Sequence, residues 1–310
     1  MALLKPFLKL IRWPNLVFII ITQLLFEYCI YRSVYAHNIP DYNHFQFVLL
    51  VVASVLIAAA GYIINDYFDI NIDLVNKPDR IVLDKTLSRR WALAWHLIFS
   101  VVGVVLTAIA VGIFSRWYLI IANIVCVILL WFYSARFKKD LLIGNIIVSL
   151  LTAWTILIIF LSKYSFMDAF SQSDTGQGRF FKFAILYAGF AFIISLIREA
   201  VKDIEDMPGD EKFGCRTMPI VWGINATKVY VMVWLTVLII MLLIIQIYVM
   251  QFRWWWAVAY CFVFIFVPLL FIFRTLIRAQ STRDYSRLSL YTKLAMFAGI
   301  LSMIFFHIYL

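Results

Sequence analysis

Runs of roughly 20 mostly apolar residues recur from one end of this 310-residue chain to the other, separated only by short polar breaks. A run of that length is what a helix needs to cross the roughly 30 Å hydrocarbon core of a bilayer. Because lipid offers no hydrogen-bond partners, the backbone inside it must satisfy itself, and helices do so within one segment. With 65% of its residues hydrophobic and 14% charged, the chain leaves no room for a sizeable water-soluble domain. Its sequence reads as an all-α, polytopic transmembrane bundle, one domain over residues 1–310.

Nine spans are predicted near residues 14–34, 45–67, 91–113, 117–134, 141–162, 180–202, 224–249, 254–277 and 288–309. The first follows Lys5, Lys9 and Arg12, runs too long for a signal-peptide core and lacks a small-residue cleavage site, so it reads as a retained helix. The four cysteines are scattered without metal-ligand spacing, and neither disulfides nor zinc are expected. A net charge of +10 could suggest nucleic acid, but topology accounts for it. With the N-terminus cytoplasmic, 21 of the 27 Lys and Arg fall on the cytoplasmic side, as the positive-inside rule requires. The chain is read as an integral protein of a bacterial inner membrane, C-terminus outside, with no nucleic-acid partner and no oligomeric state specified.

Carboxylates are scarce and unevenly spread. Of 17 Asp and Glu, 11 lie within residues 66–84 and 199–211, at the same membrane side of the second and sixth predicted helices. In NDYFDINID, Asp66, Asp69 and Asp73 follow a 0, 3, 7 spacing, with Asn65 four residues before Asp69, which lines oxygen atoms along one helix face. KDIEDMPGD repeats the spacing with Asp203, Asp206 and Asp210. Pro208 and Gly209 are expected to end that helix, so that Asp210 comes from the following loop.

One acidic run is readily explained as a solvated loop. Two, matched in spacing and facing one side, call for cations, because a charge near the apolar zone costs ~2.5–3.5 kcal/mol. Oxygen ligands without His or Cys favour Mg2+, which keeps waters and takes substrate phosphate oxygens. The matched placement also suggests parallel halves, helices one to four and five to eight, with the ninth added. Sites in such repeats sit between the halves.

Basic residues follow the acidic runs: Lys77 and Arg80 after the first, Tyr133, Arg136, Lys138 and Lys139 after the fourth span, and Arg216 after the second run. Arg can hold a diphosphate bidentately and Lys can neutralise it, although Lys139 and Arg90 read better as topological anchors. Trp131, Phe132, Trp154, Phe190 and Phe192 could wall an apolar tunnel, whereas RWWWAVAY at 253–260 reads as an interfacial belt. Asn15, beside Pro14 at the first span, either faces a cavity or caps the helix.

At these residues the chain resembles the UbiA-type superfamily of intramembrane prenyltransferases. Asn65, Asp66, Asp69 and Asp73 match the family pattern NDxxDxxxD, and Asp206 and Asp210 match its second, DxxxD motif, continued through Gly214, Arg216 and Thr217. The family's Tyr-xxx-Lys element is approximated only, since Phe137 stands four residues after Tyr133 and the lysine is Lys138. The resemblance implies Mg2+-dependent prenyl transfer from a prenyl diphosphate to a lipophilic acceptor. It implies metal held by Asn65, Asp66, Asp69, Asp73, Asp203, Asp206 and Asp210, and a leaving diphosphate stabilised by Lys77, Arg80, Arg136, Lys138 and Arg216. Asn15 and Tyr133 would contact substrate. The wording REAVKDIEDMPGD followed by GCRT is closest to the branch that prenylates geranylgeranylglyceryl phosphate. Aromatic quinone precursors and a haem precursor are acceptors on the same scaffold, and a cation transporter is the rival of another class. Transporter sites lie near the midplane, however, and these clusters lie at one edge.

Overall fold

The structure is a computed structural model describing residues 4–35, 43–76, 78, 82–83, 87–164 and 175–310. Among them are nine helices long and apolar enough to cross a membrane: α1 (Trp13–Val34), α2 (His44–Asn76), α3 (Arg89–Val111), α4 (Trp117–Ala135), α5 (Ile143–Lys163), α6 (Gly176–Lys212), α7 (Ile224–Met250), α8 (Trp255–Arg278) and α9 (Thr282–Tyr309). The expected all-α membrane bundle is borne out. A short helix, Leu4–Leu10, precedes α1.

The two acidic runs lie on the two longest helices. α2 has 33 residues and α6 has 37, about 50 and 55 Å at 1.5 Å per residue, well over the thickness of the hydrocarbon core. Both were expected to end some ten residues earlier, because hydropathy falls where the acidic motifs begin. The helices continue beyond the apolar zone and carry the motifs on the overhang. These two helices also organise the packing: α2 lies against α1, α3, α4 and α6, and α6 lies against α5, α7 and α9.

Small residues and interhelical hydrogen bonds hold the bundle, as expected where lipid removes the hydrophobic drive between helices. Gly103 of α3 sits so close to α2 that a Cβ there would lie 2.7 Å from Ile57. Gln23 of α1 donates from Nε2 to Ser54 Oγ (3.0 Å) and to the Thr155 carbonyl (2.9 Å), tying α1 to α2 and α5. Asn123 donates to Thr107 (2.8 Å) and accepts from the Trp154 indole (3.0 Å), joining α3, α4 and α5.

One expectation is corrected: Pro208 and Gly209 do not end the sixth helix, which runs unbroken to Lys212 and carries Asp210 on its last turns. A proline inside a helix lacks an N–H and disturbs the bonds around it. Here the last residue of α2 repairs them. Asn76 donates from Nδ2 to the Asp206 carbonyl and accepts at Oδ1 from the Gly209 N–H, both at 2.8 Å. Glycine is needed at 209, since a Cβ would lie 2.5 Å from that amide. The same contact fastens the ends of α2 and α6 together.

Asn76→Ala should therefore lower the thermal unfolding midpoint of the detergent-solubilised protein, by the loss of two hydrogen bonds worth roughly 1–3 kcal/mol together. Gly209→Val should act in the same direction. A differential scanning measurement showing neither variant shifted would contradict this role.

Candidate active site

Between the motif-bearing ends of the helices lies a chamber of about 820 Å³. Its wall includes Asn65, Asp66, Asp69 and Asp73 from α2, Asp203, Asp206 and Asp210 from α6, and Tyr133, Lys138 and Asn15. The two 0, 3, 7 rows thus face one space, which neither row could have indicated alone. Lys77 and Arg80 lie outside the described residues. Arg136 and Arg216 do not line the chamber: Arg136 is largely exposed and pairs with Asp140 at 3.7 Å, and the Arg216 side chain is exposed. Arg216 contributes through its backbone instead, its N–H donating to the Lys139 carbonyl at 2.7 Å.

That bond and a glycine position Lys138. The α4–α5 connection forms a short helical turn, Phe137–Lys139, that lies directly on the first turn of α5. A Cβ on Gly144 would come within 2.8 Å of the Lys138 Cα and the Phe137 carbonyl oxygen. The close approach turns Lys138 inward, where its ammonium contacts Asp69, which also accepts from Asn65 Nδ2 at 2.8 Å. Burial pushes the Lys138 pKa below its ordinary value, and Asp69 pulls the other way. A few residues before α1 would enter the apolar zone, Arg12 donates to Asp66 at 2.6 Å. Its left-handed backbone, φ 51°, marks the bend between the short first helix and α1. Burial opposes the charge on Arg12, the attraction of Asp66 favours it, and the net pKa is raised.

Several wall residues escaped the sequence reading. Asn145 of α5 donates to Asp203 at 2.8 Å. Glu199 is buried and bridges Arg198 (2.8 Å) and Lys202 (3.0 Å). Lys293 of α9 donates to Asn15 Oδ1 at 2.7 Å, so Asn15 faces the chamber and does not cap its helix. None was singled out from the sequence: Glu199 was counted within the second acidic run and Lys293 among the 21 cytoplasmic charges. The overlooked signal was an ionisable residue within an apolar span, which is a functional flag in its own right.

The donor set is almost entirely oxygen. Cys215 also lines the chamber, but burial, with Asp210 adding to it, pushes its thiol up to about 11, so it is protonated and a poor ligand at neutral pH. Among the described residues no three His, Cys, Asp or Glu side chains converge into a ready-made metal cage. Such oxygen walls suit a hard cation whose coordination a ligand and water complete.

Further along α5, α6 and α9, and bounded also by α7 and α8, is a second, apolar cavity of about 180 Å³, lined by Thr152, Phe190, Met296 and Phe306 among others. Of the aromatics proposed for a tunnel, Phe190 is in it. Trp154 instead bonds Asn123, Trp131 packs on Phe68 and His96, and Phe132 is half exposed. Trp255 and Trp256 are exposed as an interfacial belt requires.

The profile of the UbiA prenyltransferase family matches residues 28–301. The chain belongs to that family. The resemblance to that family is borne out, and with it an integral membrane protein. A curated relative, the digeranylgeranylglyceryl phosphate synthase of Methanospirillum hungatei, is 35% identical over 182 residues, which is 59% of this chain and 59% of that one. The match spans less than two thirds of that relative's length. A solved structure described in terms of digeranylgeranylglyceryl phosphate synthase superposes with a TM-score of 0.63 at 23% identity, covering 98% of this chain and 99% of that one. A UbiA homologue from Archaeoglobus fulgidus, bound to DMAPP and Mg2+, gives 0.52 at 16% identity, covering 96% and 98%. At these identities the two structures bear on the fold.

A thiol with a pKa near 11 should react slowly. Peptide mapping after a maleimide pulse at pH 7.5 should show Cys215 labelled at least tenfold more slowly than an ordinary exposed thiol of pKa ~8.5, with labelling rising as pH approaches 11. Rapid labelling at pH 7.5 would contradict the environment described.

Proposed function

We propose that this protein transfers a prenyl group from a prenyl diphosphate to geranylgeranylglyceryl phosphate, with Mg2+ as the metal and the chamber on the cytoplasmic side of the membrane. One observation carries the reading: two carboxylate rows and an inward-turned lysine share a single chamber, and an apolar cavity is lined by residues further along α5, α6 and α9. That is the arrangement an amphiphile with a diphosphate head and a hydrocarbon tail requires. The match to a digeranylgeranylglyceryl phosphate synthase supports the acceptor, and the Archaeoglobus fulgidus homologue bound to DMAPP and Mg2+ supports the donor and the metal.

The residues present fit Mg2+. The ion usually takes one or two carboxylates and completes its shell with water and phosphate oxygens, which agrees with the oxygen-rich walls of the chamber. Asp69 and Asp73 on α2, and Asp206 and Asp210 on α6, would hold it, with Asn65, Asp66 and Asp203 beside them. When bound, the metal neutralises charge that builds on the diphosphate as its bond to carbon breaks.

This chain's own residues supply the remainder. Lys138 is positioned to move from Asp69 to the diphosphate and stabilise the departing oxygen, as a preorganised charge in a dry site does best. Arg12 holds Asp66 in place. The apolar cavity further along these helices would take part of the tail, and exclusion of water protects the allylic carbon from hydrolysis. The allylic C–O bond breaks with its electrons leaving on diphosphate. An acceptor hydroxyl oxygen then bonds to that carbon, and its proton passes to a carboxylate or phosphate oxygen in the chamber.

Purified protein given radiolabelled geranylgeranyl diphosphate and geranylgeranylglyceryl phosphate should form an ether-linked product and release diphosphate, both abolished by EDTA and restored by Mg2+. Asp69→Ala and Asp206→Ala should each cut turnover by at least a hundredfold, about 2.7 kcal/mol, at preserved expression. Product formed equally well in EDTA, or full activity in either variant, would overturn the proposal.

A further inference from the structure

One side of the chamber is lined by three cationic side chains, Lys293, Arg198 and Lys202. Lys293 projects from α9, eleven residues into that helix, into the same chamber. Its described hydrogen bond goes to the neutral oxygen of Asn15 on α1, at 2.7 Å, and its ammonium lies 5.1 Å from the Phe18 ring centroid. Among the described residues it has no carboxylate at ion-pairing distance. Its charged neighbour is Arg198 of α6, of the same sign. Arg198 and Lys202 share the carboxylate of Glu199, and Asp203, next to Lys202, lines the same chamber, so this wall carries three cations against two carboxylates. One positive charge, that of Lys293, remains unmatched among the described residues, at the edge of a low-dielectric interior.

Such an arrangement is costly for a protein to maintain without an anion to fill it. The wall is separate from the Lys138 contact with Asp69, which comes from the α4–α5 connection. It is built from α1, α6 and α9, and Arg198 and Lys202 precede the metal-side Asp206 and Asp210 along α6. We propose that Lys293, Arg198 and Lys202 form a second anion site, which binds the phosphate of the acceptor while the diphosphate of the donor occupies the carboxylate-lined part. This rests on the function proposed above and deepens it.

The chemistry selects the ligand class. A phosphate monoester carries about −1.5 to −2 charge near neutral pH and offers three acceptor oxygens, one for each of the three cationic side chains of this wall. A carboxylate-bearing aromatic acceptor carries one charge and two oxygens, and a neutral quinol carries none. The site therefore favours a glycerophosphate head over either. Arg198 can bind two oxygens bidentately, while Lys293 and Lys202 act as point charges on either side. Lys293 spans the contact between α1 and α9, so its ligand also bridges those helices.

The test compares Lys293→Met, Lys293→Gln and Lys293→Arg with the unmodified protein in detergent, each first shown to keep its melting temperature. Equilibrium binding of radiolabelled geranylgeranylglyceryl phosphate is read without any prenyl diphosphate, and steady-state KM is read for both substrates. The expected result is about tenfold weaker acceptor binding and a matching rise in acceptor KM in the Met and Gln variants, the order of one charge-assisted hydrogen bond. The KM for geranylgeranyl diphosphate should change less than twofold. Lys293→Arg should recover most of the binding, and the preference for the phosphorylated acceptor over geranylgeranylglycerol should vanish in Lys293→Met. Unchanged acceptor binding in the Met and Gln variants, or a rise confined to the diphosphate KM, would overturn the site. Lys293-dependent acceptor binding without transfer would support the site and overturn the proposed function alone.

Discussion

The expense of holding carboxylates at the edge of an apolar medium governs this molecule. Seven oxygen-bearing side chains of the two motifs face one chamber, and a charge without a partner there is strongly disfavoured. The fold answers with cations delivered from elements far apart in sequence: Arg12 from before α1 reaches Asp66, and Lys138 from the α4–α5 turn reaches Asp69. These contacts join the start of the chain and its middle to α2. The electrostatic requirement of the site is therefore also a constraint on how the helices assemble.

The mechanical consequence is that α2 and α6 behave as one pair of struts. Their overhang lifts the motifs out of the hydrocarbon zone, and the Asn76 amide locks their ends by bridging the backbone around Pro208. A proline that would ordinarily break a helix becomes a place where two helices meet. Asp206 and Asp210 then keep helical spacing across the proline, so the second row faces the first. The Phe137–Lys139 turn, seated on Gly144, closes the same space from a third side.

The bundle was legible in the sequence because lipid imposes a length and a hydropathy that leave few alternatives. The acidic rows were legible because carboxylates are so scarce in such a chain. What was not legible depended on tertiary partners. The continuation of α6 past Pro208 needed Asn76, some 130 residues away. The outward turn of Arg136 and the inward turn of Lys138 depend on the dihedral angles of a three-residue helix and on a glycine after it. Lys293 was counted with the topological charges, since its sequence position alone could not distinguish an anchor at the interface from a cation facing a chamber.

If both carboxylate rows act on one metal-bound ligand, metal binding depends on each row. The most direct measurement is electron paramagnetic resonance of Mn2+ in the Mg2+ role, titrated with a non-reacting thiolo analogue of geranylgeranyl diphosphate. The expected result is tight Mn2+ binding that depends on the analogue and falls at least tenfold both in Asp73→Asn on α2 and in Asp210→Asn on α6. Binding that ignores the analogue, or that is lost from α2 and untouched by the α6 substitution, would contradict a shared chamber.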